Sequence, residues 1–358
     1  MSLFSVGDVE FASRVSFNQY LTESYSVADD GDLYVIAGLT DYSWPEFRTL
    51  LENRGYEILE EYGEIVKMAC DYGTDGRIEF YLSFDRDTQI ILFYTNMRKS
   101  EEIENTIEIL LRETPRVHYL YIAPRVMQDI RETIAADDPN ARVTQFSSHR
   151  VERSDIEARI RPDFSRTIQY FGDDGLQTMR EMEENYGVVP RLMEFRIPDT
   201  SNFKINREGV FNLQGGDLGY LFEHVETCIE NALRVRRAYE NASFEMVRTT
   251  GQLEVPTAEP ASISLQNRLQ YHEVEDFKAS MKENDYVLLD TFAEEGSLFF
   301  SSKVIDQEKK NSFRIKANED EIRVFPQENK DLGSFFRFYE FIQNSIDEDA
   351  SLNLEAQA

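Results

Sequence analysis

Three stretches of the chain share one order of hydrophobic and polar positions. Each opens on a helix whose apolar residues recur at three- and four-residue steps, the spacing that lines one helix face. The three helices are Phe47–Tyr56, Met179–Gly187 and Phe277–Tyr286. A Glu-Asn pair precedes the break each time: Glu52-Asn53, Glu184-Asn185 and Glu283-Asn284. Asn suits the left-handed turn that closes a helix, and Gly55 and Gly187 ease it. Alternating, aromatic-rich runs follow and read as strands. They are Ile65–Ala69, Arg77–Phe84 and Gln89–Tyr94, then Leu192–Ile197, Asn202–Asn206 and Gly209–Leu213, then Tyr286–Phe292, Ser297–Val304, Ser312–Lys316 and Glu321–Phe325. Amphipathic helices close the stretches at Glu101–Arg112, Leu218–Ala232 and Leu332–Ile346, and leading strands are expected at Leu33–Leu39, Arg166–Phe171 and Ser262–Leu269.

The second and third stretches are the most alike. Asn202-Phe-Lys-Ile-Asn206 matches Ser312-Phe-Arg-Ile-Lys316, and Asp217-Leu-Gly219 matches Asp331-Leu-Gly333. Asp before a helix accepts from the free N–H groups of its first turn. The fold class is therefore α+β, built from repeated β-α-β-β-β-α units with mostly antiparallel sheets. Helices cover one face of each sheet and leave the other open. The order of elements resembles one half of the TATA-binding-protein fold; the resemblance is one of topology and transfers no functional residue.

Residues 117–150 interrupt the pattern as a βαβ insertion, with strands at Val117–Ala123 and Ala141–Ser147 around a helix at Arg125–Ala136. It is expected to extend the first sheet in parallel fashion. The organisation that follows is a first unit over 1–116, the insertion over 117–150, a second unit over 151–248, a linker over 249–260, a third unit over 261–346 and a disordered tail over 347–358. The linker reading rests on Pro256, Pro260 and the lack of any period between them.

Composition changes the picture in two places. The 358 residues, 41 % of them hydrophobic, supply two or three cores and exclude global disorder. No run approaches the roughly 20 apolar residues of a membrane span. The N-terminus shows no basic and apolar leader, so a cytoplasmic protein is expected. The net charge of −29 argues against a nucleic-acid partner on its own. The 38 basic residues, however, divide into 10 Lys and 28 Arg, and the acid is dispersed along the chain. That resembles the composition of proteins from halophiles, in which a Debye length of about 3 Å at 1 M salt silences repulsion, with an ordinary acidic cytoplasmic protein as the alternative. Partner evidence must then come from local departures from the global charge.

The chemistry-bearing motifs are incomplete. His118, His149, His224 and His272 stand singly, without metal-binding spacing. Cys70 and Cys228 can neither staple a fold of this size nor close a zinc site. Gln214-Gly215-Gly216-Asp217 and Gly172-Asp173-Asp174-Gly175 read as turns, since neither has a phosphate-loop pattern. Glu64 with Lys67, and Asp75 with Glu79, are the nearest approach to a carboxylate nuclease site. No cofactor and no metal is expected.

Two surfaces remain. Arg142, Arg150, Arg153, Arg159, Arg161 and Arg166 form one dense arginine supply, and Arg234, Arg236 and Arg237 a second. Arg binds phosphate bidentately. Structural ion pairs with Glu152, Asp155, Glu157 and Asp163 compete with that role for the first group. Phe335, Phe336, Phe338 and Tyr339 crowd the last helix and suggest a partner interface, with a core between units as the competing account. The sequence thus favours a non-catalytic binding or scaffold protein. Its partner is another protein, a second copy of the chain or nucleic acid, and no membrane. A metal-dependent nuclease using Asp and Glu is the alternative, and a component of a viral or defence assembly a third.

Overall fold

The structure, a computed structural model, describes residues 3–73, 76–97, 99–150, 166–248, 254–294, 298–327 and 330–353. The chain divides into two compact units. The first takes the described residues up to His149, with Arg166–Glu184 and Val188–Ala232; the second takes Arg150, Asn185–Gly187 and the described residues from Leu233 onward. Among the described residues no helix is long and apolar enough to cross a membrane.

The first unit is built on strands β1 (Leu33–Thr40), β2 (Tyr56–Tyr62), β3 (Ile65–Tyr72), β4 (Gly76–Phe84), β5 (Ile90–Thr95), β6 (Val117–Tyr119), β7 (Arg142–Arg150), β8 (Thr167–Phe171), β9 (Val188–Ile197), β10 (Ser201–Asn206) and β11 (Val210–Gly216). They form one sheet in the order β2-β3-β4-β5-β1-β11-β10-β9-β7-β8, with β6 beside β1. Helices α1 (Arg14–Ser24), α2 (Val27–Asp30), α3 (Trp44–Asn53), α4 (Ile109–Glu113), α5 (Pro124–Asp137) and α6 (Gly175–Tyr186) belong here, and α7 (Leu218–Asn241) begins here. The closing helix of the first stretch is a π-helical run, Lys99–Glu108, that passes into α4.

Both faces of the central strands are covered. Phe93 of β5 packs on Phe80 in a layer with Phe47, Leu51, Ile107 and Leu111. Its neighbour Tyr94 points the other way, onto Phe17 of α1 and Phe222 of α7. Every residue of β5 is buried, so no strand-period alternation of burial survives there.

Two expectations are corrected. The insertion is not a parallel βαβ: β6 pairs antiparallel with β1, while β7 lies between β9 and β8. The second stretch also differs from the others. In the first, β2-β3-β4-β5 run in sequence and β5 is flanked by the leading strand β1. In the second, β1 occupies the free edge of β11, and the leading strand β8 lies at the far end of the sheet. One strand, β1, thus pairs with both β5 and β11.

The second unit contains a ribbon of β12 (Ser243–Arg248) and β13 (Glu254–Glu259), then β14 (Ala261–Ser264), β15 (Tyr286–Glu294), β16 (Phe299–Asp306), β17 (Asn311–Ala317), β18 (Glu321–Pro326) and β19 (Ser351–Leu352). The last six form an antiparallel sheet in the order β15-β16-β17-β18-β14-β19. Helices α8 (Val274–Glu283) and α9 (Leu332–Phe341) cover one face, and a π turn, Ile342–Ile346, extends α9. Phe277 of α8 meets Phe300 of β16 at 5.6 Å, and Phe338 of α9 meets Phe313 of β17 at 5.1 Å.

Within the expected linker, Glu254–Glu259 form strand β13, paired to β12, and residues 249–253 lie outside the described residues. Both strands of a two-stranded ribbon are edges, where the missing N–H of Pro256 is tolerated. The expected disordered tail is anchored as far as Asn353. Asp347 is fully buried, its carboxylate accepting from the N–H groups of Gln266 at 2.6 Å and Asn267 at 3.1 Å. Leu352 then pairs with Ile263. Residues 354–358 lie outside the described residues.

Candidate binding face of the second unit

Three of the arginines that are dense in sequence have separate partners in the fold. Arg142 makes an exposed ion pair with Asp173 at 3.1 Å. Arg150 is buried and donates to the Tyr186 carbonyl at 2.8 Å. Arg166 is half-buried. Arg153, Arg159 and Arg161 lie outside the described residues. On α7, Arg236 is buried against Glu240 at 2.5 Å, while Arg234 and Arg237 are exposed.

The aromatic cluster is core and not a partner interface. Phe335, Phe336, Phe338 and Tyr339 are each at most 5 % exposed. Phe335 stacks on Tyr239 at 4.5 Å, Phe338 meets Tyr286 edge-on at 5.9 Å, and the Tyr339 hydroxyl donates to the Ala350 carbonyl at 3.0 Å. Adjacent aromatics can both be buried because the end of α7, the sheet and the C-terminal segment all pack against α9.

The other side of that sheet carries the unexplained charge. β16, β17 and β18 pair without a register break. Side chains alternate between faces, so every second residue lines up across the sheet. Phe300, Ser302 and Val304 of β16 point inward with Phe313 and Ile315 of β17 and with Ile322 and Val324 of β18, and all are buried. The intervening positions face outward. One outward row runs Leu289, Lys303, Arg314, Phe325, and the next runs Phe292, Ser301, Lys316, Arg323.

Edge strand β15 joins these rows through a bulge. Leu289 pairs with Lys303 and Phe292 with Ser301, so Asp290 and Thr291 both face the single residue Ser302. Asp290 takes φ 51°, and the Ser302 hydroxyl closes the bulge on the Leu289 carbonyl and the Thr291 hydroxyl, each at 3.0 Å. The extra residue puts Leu289 and Phe292, three apart in sequence, on one face. They are 42 % and 54 % exposed, and Phe299 of β16 is 38 % exposed.

Four cations therefore share the outer face. Arg323 pairs with Glu321 at 2.6 Å. The Lys316 ammonium lies 5.1 Å from the centre of the Phe325 ring. Lys303 and Arg314 make no ion pair among the described residues. Two of the cross-strand pairs, Lys303 with Arg314 and Lys316 with Arg323, set like charges directly opposite one another. Such pairs are destabilising. In a chain of net charge −29 they are the reverse of the global trend.

One sequence signal could have found them. Seven of the ten lysines fall between residues 278 and 330. The stretch Ser312–Lys316, which matches Asn202–Asn206, carries Ser312, Arg314 and Lys316 at its outward positions.

The sheet is held from below by Arg337 of α9. Its guanidinium bonds Asp306 at the end of β16 at 2.8 Å and Glu308 at 2.8 Å, and donates to the Asn284 carbonyl at 2.8 Å. Asp306 also accepts from the N–H groups of Glu308 and Lys309, both at 3.1 Å. Burial outweighs the pull of Arg337 and holds the Asp306 carboxyl above the ordinary 3.8.

Two further polar features belong to the first unit. A depression of about 360 Å³ lies between the start of α1 and the β4–β5 turn, lined by Arg14, Glu64, Asp85, Arg86 and Asp87 among others. Arg14 bonds Glu226 at 2.9 Å and Arg86 bonds Glu64 at 3.3 Å. His224 is buried between Phe203 and Tyr220, and desolvation pushes it down to about 4. Among the described residues no group of three or more His, Cys, Asp or Glu is arranged to hold a metal ion.

Comparison with known proteins reaches the first unit more specifically than the second. Residues 125–208 match the model of a family described as a middle domain. This segment runs from α5 through β10 and includes the ion pair of the buried Arg131 with half-buried Glu183 at 2.7 Å. An uncharacterized protein of Archaeoglobus fulgidus is 24 % identical over 321 residues, which are 86 % of this chain and 86 % of that protein. No solved structure matches.

Proposed function

We propose that this chain is a non-catalytic binding protein that engages a polyanionic macromolecule through the outer face of its second sheet. One observation carries the reading: the like-charged cross-strand pairs Lys303–Arg314 and Lys316–Arg323, on the face opposite the one against which α8 and α9 pack. A strand pair selected for stability alone would avoid them. A bound polyanion turns the repulsion into attraction, because phosphate or carboxylate groups bridge the cations.

The dispersed acid elsewhere supports a second element of the reading, adaptation to concentrated salt. It also makes the rest of the surface repel a polyanion, which confines binding to the local basic face.

The test uses inorganic polyphosphate, which offers charge without bases or apolar groups. The wild-type protein should bind it, and Lys303→Ser with Arg314→Ser should weaken that binding and reduce its dependence on salt. Equal binding by both proteins would remove the outer face from consideration.

A further inference from the structure

We infer that the ligand of this face is single-stranded nucleic acid. The inference rests on the binding role proposed above and adds the chemistry of the ligand.

The face is not purely cationic. Phe299, on the same face of β16 as Lys303 and opposite Glu294 of β15, is 38 % exposed, and its ring lies 6.1 Å from that of Phe292, which is 54 % exposed. Phe325 is half-buried in the row of Lys303 and Arg314, with Lys316 over its ring. Large rings left on a charged surface keep apolar area in water that could have been buried. A ligand that alternates negative charge with flat apolar rings satisfies both sets of side chains. Single-stranded nucleic acid has that composition, its phosphates meeting Lys and Arg while unpaired bases stack on exposed aromatics.

Competing polyanions fit less well. In a duplex the bases stack on each other and leave the phenyl rings unused. A DNA major groove admits a helix or a two-stranded ribbon, whereas this surface is four strands wide. An acidic protein would neutralise the cations but carries no regular series of flat rings. High salt strengthens the argument. Charge attraction fades as counterion release loses its driving force, while stacking persists.

The experiment is fluorescence anisotropy with a labelled 15-nucleotide single strand of deoxythymidylate. The competitors are a duplex of the same length and polyglutamate, all in salt at which circular dichroism shows the protein folded. The single strand should bind at least tenfold more tightly than either competitor. Phe299→Ala and Phe325→Leu should each weaken it by about 5- to 150-fold, with the melting temperature nearly unchanged for the exposed Phe299 position. Lys303→Ser with Arg314→Ser should lower the salt slope by about 0.7 per lost phosphate contact. Equal affinity for duplex or polyglutamate, with the phenylalanine variants unaffected, would overturn the single-strand assignment and leave the polyanion reading standing. Failure of the wild-type protein to bind any of the three, or polyphosphate, would overturn both.

Discussion

Lys303 on β16 lies directly opposite Arg314 on β17, with both side chains on the face away from α8 and α9. Each is half-buried, and neither is neutralised by an ion pair among the described residues. Repulsion across the pair is a stability cost, so removing it should be favourable. Arg314→Glu places opposite charges in register and should stabilise the fold by about 0.2–1 kcal/mol. Chemical denaturation measures the gain. The same variant should bind polyanions less tightly, a trade of stability against function that a purely structural pair would not show.

The aromatic helix behaves in the opposite way. Phe338 is fully buried and contacts Tyr286, Phe313 and Phe341. Phe338→Ala should cost about 3–5 kcal/mol, the sum of lost transfer energy and a cavity. If α9 were an exposed docking helix, the substitution would leave the melting temperature almost unchanged.

Arg337 and Asp306 should couple strongly. Asp306 is fully buried, and its neighbour Arg337 is 15 % exposed. Arg337→Met strands a buried carboxylate and should destabilise by about 3–5 kcal/mol. Adding Asp306→Asn removes that charge and should restore part of the loss. A double-mutant cycle reads the coupling, and additive effects would show that the two groups act independently.

His224 sets an acid limit on the first unit. Its pKa falls from 6.5 to about 4 because burial disfavours the imidazolium. The unfolded chain therefore takes up a proton before the folded one does. Stability is fully present above about 6.5 and is lost as the pH falls toward 4, by roughly 3 kcal/mol in all. His224→Gln should flatten that part of the pH–stability curve. An unchanged slope would assign the acid sensitivity to other groups.

Much of this fold was legible in local pattern. The strands expected at Ser312–Lys316 and Glu321–Phe325 lie within β17 and β18, because one open face preserves a period of two. β2 went unread: its sequence Tyr-Glu-Ile-Leu-Glu-Glu-Tyr is an edge strand with exposed glutamates and a bulge after Ile58, so its alternation is blurred. The pairing of β1 with β11 was out of reach, since it joins Leu33 to Leu213 and depends on which edge is free rather than on either sequence.

The candidate site was hidden for a related reason. Arginine density along the chain singles out Arg142 to Arg166, where Arg142 binds Asp173, Arg150 binds the Tyr186 carbonyl, and Arg153, Arg159 and Arg161 lie outside the described residues. Lys303, Arg314, Lys316 and Arg323 are spread over three strands and become neighbours through register. Reading them required the alternation and the pairing together.

The central claim is that the outer face of the second sheet is the binding surface. Footprinting with an amine-reactive reagent, read by mass spectrometry with and without polyphosphate, tests it most directly. Lys303 and Lys316 lie on that face, while Lys282 is exposed on α8 against the opposite face. Polyphosphate should shield Lys303 and Lys316 from modification and leave Lys282 as reactive as before. Bound polyphosphate with Lys303 and Lys316 still fully reactive, or with Lys282 shielded equally, would contradict the account.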